Sequence, residues 1–160
     1  SAVASVPLGR APVEMTGRGA GLSDEGLRRK VAAIEREAIS PPWSEQSFLE
    51  SLVLPHTLFL VAETEGEISG YCCCYRSLEE GEITNVAVRR KLRGRGIGEA
   101  LLRELFRIGA SEGIEAYTLE VRVSNETAIR LYGKLGFESA GIRKNFYEKP
   151  REDACIMWKR

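Results

Sequence analysis

Residues 85–102 read Asn-Val-Ala-Val-Arg-Arg-Lys-Leu-Arg-Gly-Arg-Gly-Ile-Gly-Glu-Ala-Leu-Leu, the segment whose residue types and spacing could most directly do chemistry. A β-branched stretch, Ile83 to Val88, breaks into a basic loop with glycines at 94, 96 and 98. Helical spacing begins at once, with apolar residues at Ile97, Leu101, Leu105 and Ile108. A strand, glycine loop and helix in that order expose backbone N–H groups at the helix N-terminus, where the dipole adds partial positive charge. The glycines let a ligand approach the backbone, and Arg93 and Arg95 add full charges. Such a loop suits a phosphate or pyrophosphate.

Several designs bind phosphate in this way. A Walker loop requires Lys-Ser/Thr after its last glycine, and no such pair follows Gly98. A dinucleotide fold requires Gly-x-Gly-x-x-Gly with an acidic residue about 20 positions on. Gly94-x-Gly96-x-Gly98 misses that spacing, although Glu120 lies at a suitable distance. RNA binding would call for stacking aromatics, which this loop lacks. A glycine-rich turn with solvated arginines is the bland alternative.

The elements around the loop must place it. Ser23 is a plausible cap for a helix carrying Leu27, Val31 and Ile34, ended by Pro41-Pro42; Ser44 caps a second, with Phe48 and Leu52, closed by Pro55. Strand patterns follow over Thr57 to Glu63, Ile68 to Arg76 and Glu82 to Val88, the last after a Glu79-Glu80-Gly81 turn. The helix after the loop runs to about Glu112, with Gly113 as a stop. Ala116 to Val123 is a strand with Tyr117, Leu119, Val121 and Val123 on one face. Asn125 opens a helix with Ala128, Leu131 and Leu135 inward, ended by Gly136. Phe137 to Tyr147 and Ala154 to Trp158 form a closing hairpin. This order implies an α/β protein with one mixed sheet flanked by helices. Residues 1–12 read as a flexible extension or expression residue, and 13–160 as one domain.

Composition narrows the function classes. The chain has 160 residues, 43% hydrophobic and 29% charged, ordinary values for one globular domain. Lys+Arg and Asp+Glu are 23 each, so no global field favours nucleic acid or a membrane surface. No apolar run approaches the ~20 residues of a membrane span, and no signal-peptide core precedes the domain. A cytoplasmic protein is expected, as a monomer or weak dimer. Cys72, Cys73 and Cys74 match no zinc spacing and sit in a strand pattern, where cysteine serves as a small buried hydrophobe. His56, the only histidine, reads as a turn residue, and no metal is expected.

Arg93-Gly-Arg-Gly96-Ile-Gly98 after Val86-Ala87-Val88 matches an Arg/Gln-x-x-Gly-x-Gly/Ala signature. Here the chain resembles the GNAT (Gcn5-related) N-acetyltransferases over roughly residues 23–160. Pro42-Trp43-Ser44, the Leu119–Asn125 and Ala128–Phe137 stretches, and Arg143-Lys-Asn-Phe-Tyr147 with Arg151-Glu-Asp-Ala154 are similar to the RimI-type ribosomal-protein-alanine branch. Phe146 departs from it: relatives often carry a second tyrosine there, which leaves one hydroxyl contact to substrate open.

The resemblance implies acetyl-CoA as cofactor, its pyrophosphate held by Arg93, Gly94, Arg95, Gly96, Ile97, Gly98 and Glu99. Backbone donors of Val86, Ala87 and Val88 would face the thioester, and Asn125 would touch CoA besides capping its helix. Glu120 occupies the family's general-base position and Tyr132 its general acid, although a strand glutamate and a core tyrosine are the bland alternatives. Trp43, Glu82, Tyr147 and Asp153 are candidates for the peptide groove; Trp43 suits a core equally well. The implied acceptor is a protein N-terminus, the alanine of a small-subunit ribosomal protein. A small amine, a lysine side chain, or a non-catalytic acyl-CoA-binding role are the competing readings.

Overall fold

The computed structural model describes residues 2–7, 25–38, 56–64 and 67–160. The expected second helix from Ser44 and the groove candidate Trp43 lie outside the described residues. Among the described residues, seven strands form one sheet in the order β1-β2-β3-β4-β5-β7-β6: β1 (Ala2–Pro7), β2 (Thr57–Thr64), β3 (Glu67–Ser77), β4 (Glu80–Val88), β5 (Ala116–Arg122), β6 (Glu138–Glu148) and β7 (Arg151–Lys159). Helices α1 (Glu25–Ala38), α2 (Ile97–Ser111) and α3 (Glu126–Lys134) cover the sheet. The β1–β2 and β4–β5 pairs are parallel and the others antiparallel. Residues 2–7, expected as part of an extension, pair with β2 at the sheet edge.

Two apolar layers sandwich the sheet. Ile97, Leu101, Leu102 and Leu105 of α2 pack on Leu58, Leu60, Cys72, Cys74 and Leu119, and the layer extends to Tyr132, Phe137 and Met157. Val31, Ala32 and Ile34 of α1 pack with Phe59, Val61, Tyr71, Cys73 and Ala87 on the other face. The cysteine run thus divides as alternation requires: Cys72 and Cys74 face one layer, Cys73 the other, and all three are buried and outside any disulfide. His56 is an exposed turn residue at φ 67°, and its carbonyl accepts the Arg76 N–H at 2.8 Å.

Element limits shift modestly from the sequence pattern. The β3–β4 turn is Leu78-Glu79, so Glu80 and Gly81 belong to β4 rather than to the turn. Gly81 is needed there because a Cβ would stand 2.8 Å from Cys74 Sγ. Val123 is 38% exposed beyond the end of β5, so it leaves the buried stripe of Tyr117, Leu119 and Val121.

The decisive irregularity is in β4. Cys73 pairs with Asn85 but Cys74 pairs with Ile83, so Thr84 is an extra residue, a β-bulge. Its hydroxyl lies 3.4 Å from the Cys73 carbonyl, which accepts from it. The bulge inverts the side-chain register: Ile83 faces the α2 layer, and so do Val86 and Val88 three and five residues on. Ala87 faces the α1 layer. A bulge also bends its strand, and β4 parts from β5 at this point. Their pairing runs from Glu80–Ala116 to Ile83–Leu119 and stops.

Candidate active site

Beyond Ile83 the two parallel strands leave a slot in the middle of the sheet. β4 continues to Val88 bonded only to β3, and β5 continues to Arg122 bonded only to β7. The Arg89 N–H donates to the Ser69 carbonyl at 2.8 Å, toward β3. Backbone direction alternates along a strand, so Val88 and Val86 turn their N–H and C=O groups toward the slot. Arg93 confirms the direction for one of them: its Nε donates to the Val88 carbonyl at 3.3 Å.

The glycine loop lies at the mouth of this slot. A short 3-10 turn, Arg90–Leu92, leads into it, and Gly96 forms the N-cap of α2 with φ 79° and no side-chain cap. Gly94 has φ 80°, and a Cβ at either glycine would meet nothing within 4 Å. These two glycines therefore serve the left-handed turn and the open approach to the backbone, not packing. Gly98 differs: its Cβ would make an ordinary contact, 3.6 Å from Leu131 Cδ2. Ile97 is buried and anchors the helix start, while Arg93 and Arg95 are exposed. Glu99, in the first turn, is held by Lys134 at 3.0 Å and Arg103 at 2.8 Å, which lower its pKa. With both cations beside it, Glu99 ties α2 to α3 and leaves the charge of the loop largely uncancelled.

Glu120 and Tyr132 approach the slot from opposite sides of the sheet. Leu119 and Val121 point into the α2 layer, so Glu120 faces the other way, with Glu82 from β4 on the same side. Tyr132 lies in the α2 layer, its ring edge-on to Phe137 at 5.7 Å. Burial raises the pKa of Glu120; Arg143 opposes the rise and Glu82 adds to it. Burial also raises the Tyr132 phenol strongly, with Cys72 and Tyr147 contributing, so it stays protonated across the neutral range.

The closing hairpin borders the Glu120 face. Arg143 pairs with Ala154, and Tyr147 with Glu152, so Lys144, Asn145 and Phe146 form a wide bulge opposite Asp153. The Asp153 carboxylate accepts the Asn145 N–H at 2.9 Å and meets Lys144 at 3.3 Å, which places it as the brace of that bulge. Tyr147 rests on the Arg122 guanidinium, 4.2 Å from the ring centroid. Arg122 also donates to the Pro150 carbonyl at 3.0 Å, the Lys149 carbonyl at 3.3 Å and Glu152 at 3.3 Å. Asn125 caps α3, its Oδ1 accepting the Ala128 N–H at 3.2 Å.

The structure therefore gathers Glu82, Glu120 and Tyr147 on one side of the slot, Tyr132 on the other, and the loop at its mouth. Asp153 and Glu99 are engaged by neighbouring cations, and Trp43 is outside the described residues. The sequence assigns no role to Arg143, Arg122 or Glu152, although all three stand in the RimI-like stretches. Arg122 follows Glu120 at strand spacing, a visible signal; the partners of Arg143 and Glu152 depend on cross-strand register, which sequence does not state.

A GNAT acetyltransferase family model matches residues 28–137, and the chain belongs to that family. A Bacillus subtilis protein, provisionally named a [ribosomal protein bS18]-alanine N-acetyltransferase, is 39% identical over 80% of this chain and 85% of its own. The Escherichia coli K12 [ribosomal protein bS18]-alanine N-acetyltransferase is 36% identical over 78% of this chain and 84% of its own. The crystal structure of the Escherichia coli ribosomal-protein-S18-alanine N-acetyltransferase superposes with a TM-score of 0.79 at 33% identity, over 85% of this chain and 88% of that one. A second family model, described as a phosphoribosyltransferase, matches residues 1–52, overlapping the first over 28–52. The expected fold and family are borne out.

Proposed function

We propose that this chain transfers the acetyl group of acetyl-CoA to the α-amine of a protein N-terminus, the alanine of a bS18-type small-subunit ribosomal protein, in the cytoplasm. The observation that carries the reading is the slot that opens beyond Ile83 at the Thr84 bulge, with Glu120 on one face of the sheet beside it and Tyr132 in the layer on the other. The similarity to bS18-alanine acetyltransferases supplies the acceptor class.

The residues present suit acetyl-CoA. Open space over Gly94 and Gly96, the uncapped start of α2 and the exposed Arg93 and Arg95 form a cradle for its pyrophosphate. When bound, acetyl-CoA supplies an activated thioester and a thiol leaving group. Val86 and Val88 present N–H donors along the slot edge, fixed before reaction, where negative charge develops on the acyl oxygen. Asn125, at the start of α3, borders the same molecule.

The acceptor arrives mostly as an ammonium, since an α-amine has a pKa near ~8. The Glu120 carboxylate takes its proton, directly or through water, and frees the lone pair for attack. Glu82 and Tyr147 border the approach and orient the N-terminal residue. The Tyr132 hydroxyl would supply the proton that the leaving thiolate needs, and the second proton shed by the acylated nitrogen would return to the phenol through water. Direct attack in a ternary complex follows, because both partners meet at one slot and, among the described residues, no cysteine stands beside it with an activating base.

Incubation of the protein with acetyl-CoA and an Ala-initiated bS18 peptide, read by intact mass, tests this. One acetyl is expected, and none when the peptide N-terminus is already blocked. Acetylation of the blocked peptide would point instead to side-chain amines.

A further inference from the structure

Glu120 has one charged contact with no part in the proposed transfer. Arg143 Nη1 stands 3.0 Å from Glu120 Oε1, although the two residues are two strands apart. Register accounts for the meeting: Arg143 lies opposite Ala154 on β7, and Ala154 lies opposite Arg122 on β5. Arg143 therefore shares the face of Arg122 and Glu120 and reaches Glu120 diagonally. Arg122, nearer in sequence, is committed to the β6–β7 turn through Lys149, Pro150 and Glu152.

The pair is asymmetric. The Arg143 side chain is 56% exposed and that of Glu120 only 23%, so the guanidinium is the partner free to leave. It also lies 5.4 Å from the Phe146 ring, which offers the cation a second weak resting place on the same strand. A protein N-terminus brings its own cation with N–H donors to this carboxylate. Both cations are drawn to the same carboxylate, and the more exposed guanidinium is the one able to yield as the ammonium arrives.

We infer that Arg143 is an internal competitor for the acceptor's ammonium: its guanidinium occupies Glu120 until an N-terminal ammonium displaces it. This rests on the reading of Glu120 as the base. The exchange conserves charge, since the carboxylate keeps one cationic partner while the guanidinium moves into solvent. It also makes Arg143 a specificity determinant. An N-terminus carrying a positive charge opens the pair, whereas a neutral or blocked one leaves it closed. Exposed ion pairs are weak, so the competitor is readily displaced and its removal tightens binding only about two- to fivefold.

The test is calorimetric titration of the full chain, with CoA present, using two synthetic bS18 peptides. One begins with alanine, and the other carries a propionyl group in its place and so lacks only the amine. Arg143→Gln and Arg143→Met should each bind the alanine peptide about two- to fivefold tighter and the propionyl peptide unchanged. Arg143→Lys should bind both as the wild type does. Equal shifts for the two peptides, or an unchanged or weaker alanine peptide, would overturn the inference, and so would absence of binding by the alanine peptide to every variant. Equal CoA affinity across the variants reports that each is folded. Turnover by Glu120→Gln is measured separately: a wild-type rate there removes the base assignment, while the titrations still judge the exchange.

Discussion

At Glu120, burial in the sheet face favours the neutral acid, Arg143 favours the carboxylate, and Glu82 repels it. The Tyr147 phenol from β6 feels the Glu120 charge in turn, and Arg122 and Glu152 act on that same phenol. The net pKa is raised, and in the proposed role of base Glu120 would work only when ionised. The acid limb of kcat/KM for the acceptor should therefore lie above the ordinary carboxylate range, and Arg143→Gln should move it higher; a pH–rate series checks both. The stability sign is opposite. A carboxyl raised in the folded state contributes stability below its unfolded pKa and loses it as pH rises through the folded one. Glu120→Gln should accordingly melt no lower than wild type at neutral pH, while kcat falls about 10²- to 10⁴-fold with acetyl-CoA affinity unchanged. Tyr132→Phe should slow turnover without altering peptide affinity, which steady-state kinetics separates from binding.

The glycine loop is where element geometry and ligand chemistry meet. Gly96→Ala places a Cβ on a left-handed residue and costs about 1–2 kcal/mol there; acetyl-CoA binding should weaken with it. Gly98→Ala, with its Cβ in ordinary contact with Leu131, should bind acetyl-CoA nearly as the wild type does. Titration of both variants with CoA distinguishes a conformational glycine from a permissive one. This loop was legible in sequence because glycine spacing and helix periodicity are local properties. The stripe of Leu101, Leu105 and Ile108 likewise marked α2 before any fold was known. Thr84 was not legible: a bulge is a mismatch between two strands, and Thr-Asn within a β-branched run looks like a polar step. The ion pair of Glu120 with Arg143 was hidden for the same reason. Val123 continues the alternation of β5 in sequence, yet the chain has already left the sheet.

Across the whole molecule, the sheet that opens at Thr84 must be held closed elsewhere. Tyr117 does part of this below the slot, buried between Gly81 on its own sheet and Gly109 of α2. A Cβ at Gly109 would fall 1.8 Å from the Tyr117 hydroxyl oxygen and 3.1 Å from its Cζ. Gly109→Ala should cost about 1–3 kcal/mol by overpacking. Adding Tyr117→Phe should recover part of that, since the worst contact is the hydroxyl; a double-mutant cycle in urea measures the coupling. Ligand linkage acts on the same scale: acetyl-CoA at about 100 times its Kd should add about 2.7 kcal/mol to unfolding free energy. Among the described residues no helix is long and apolar enough to cross a membrane. Fragment mass analysis of an Ala-initiated bS18 peptide that also contains lysine, after reaction with acetyl-CoA, decides whether the slot serves an N-terminal amine. One acetyl on the alanine nitrogen is expected, lost in Glu120→Gln; acetyl on lysine alone, or equal product from that variant, would overturn the proposed transfer.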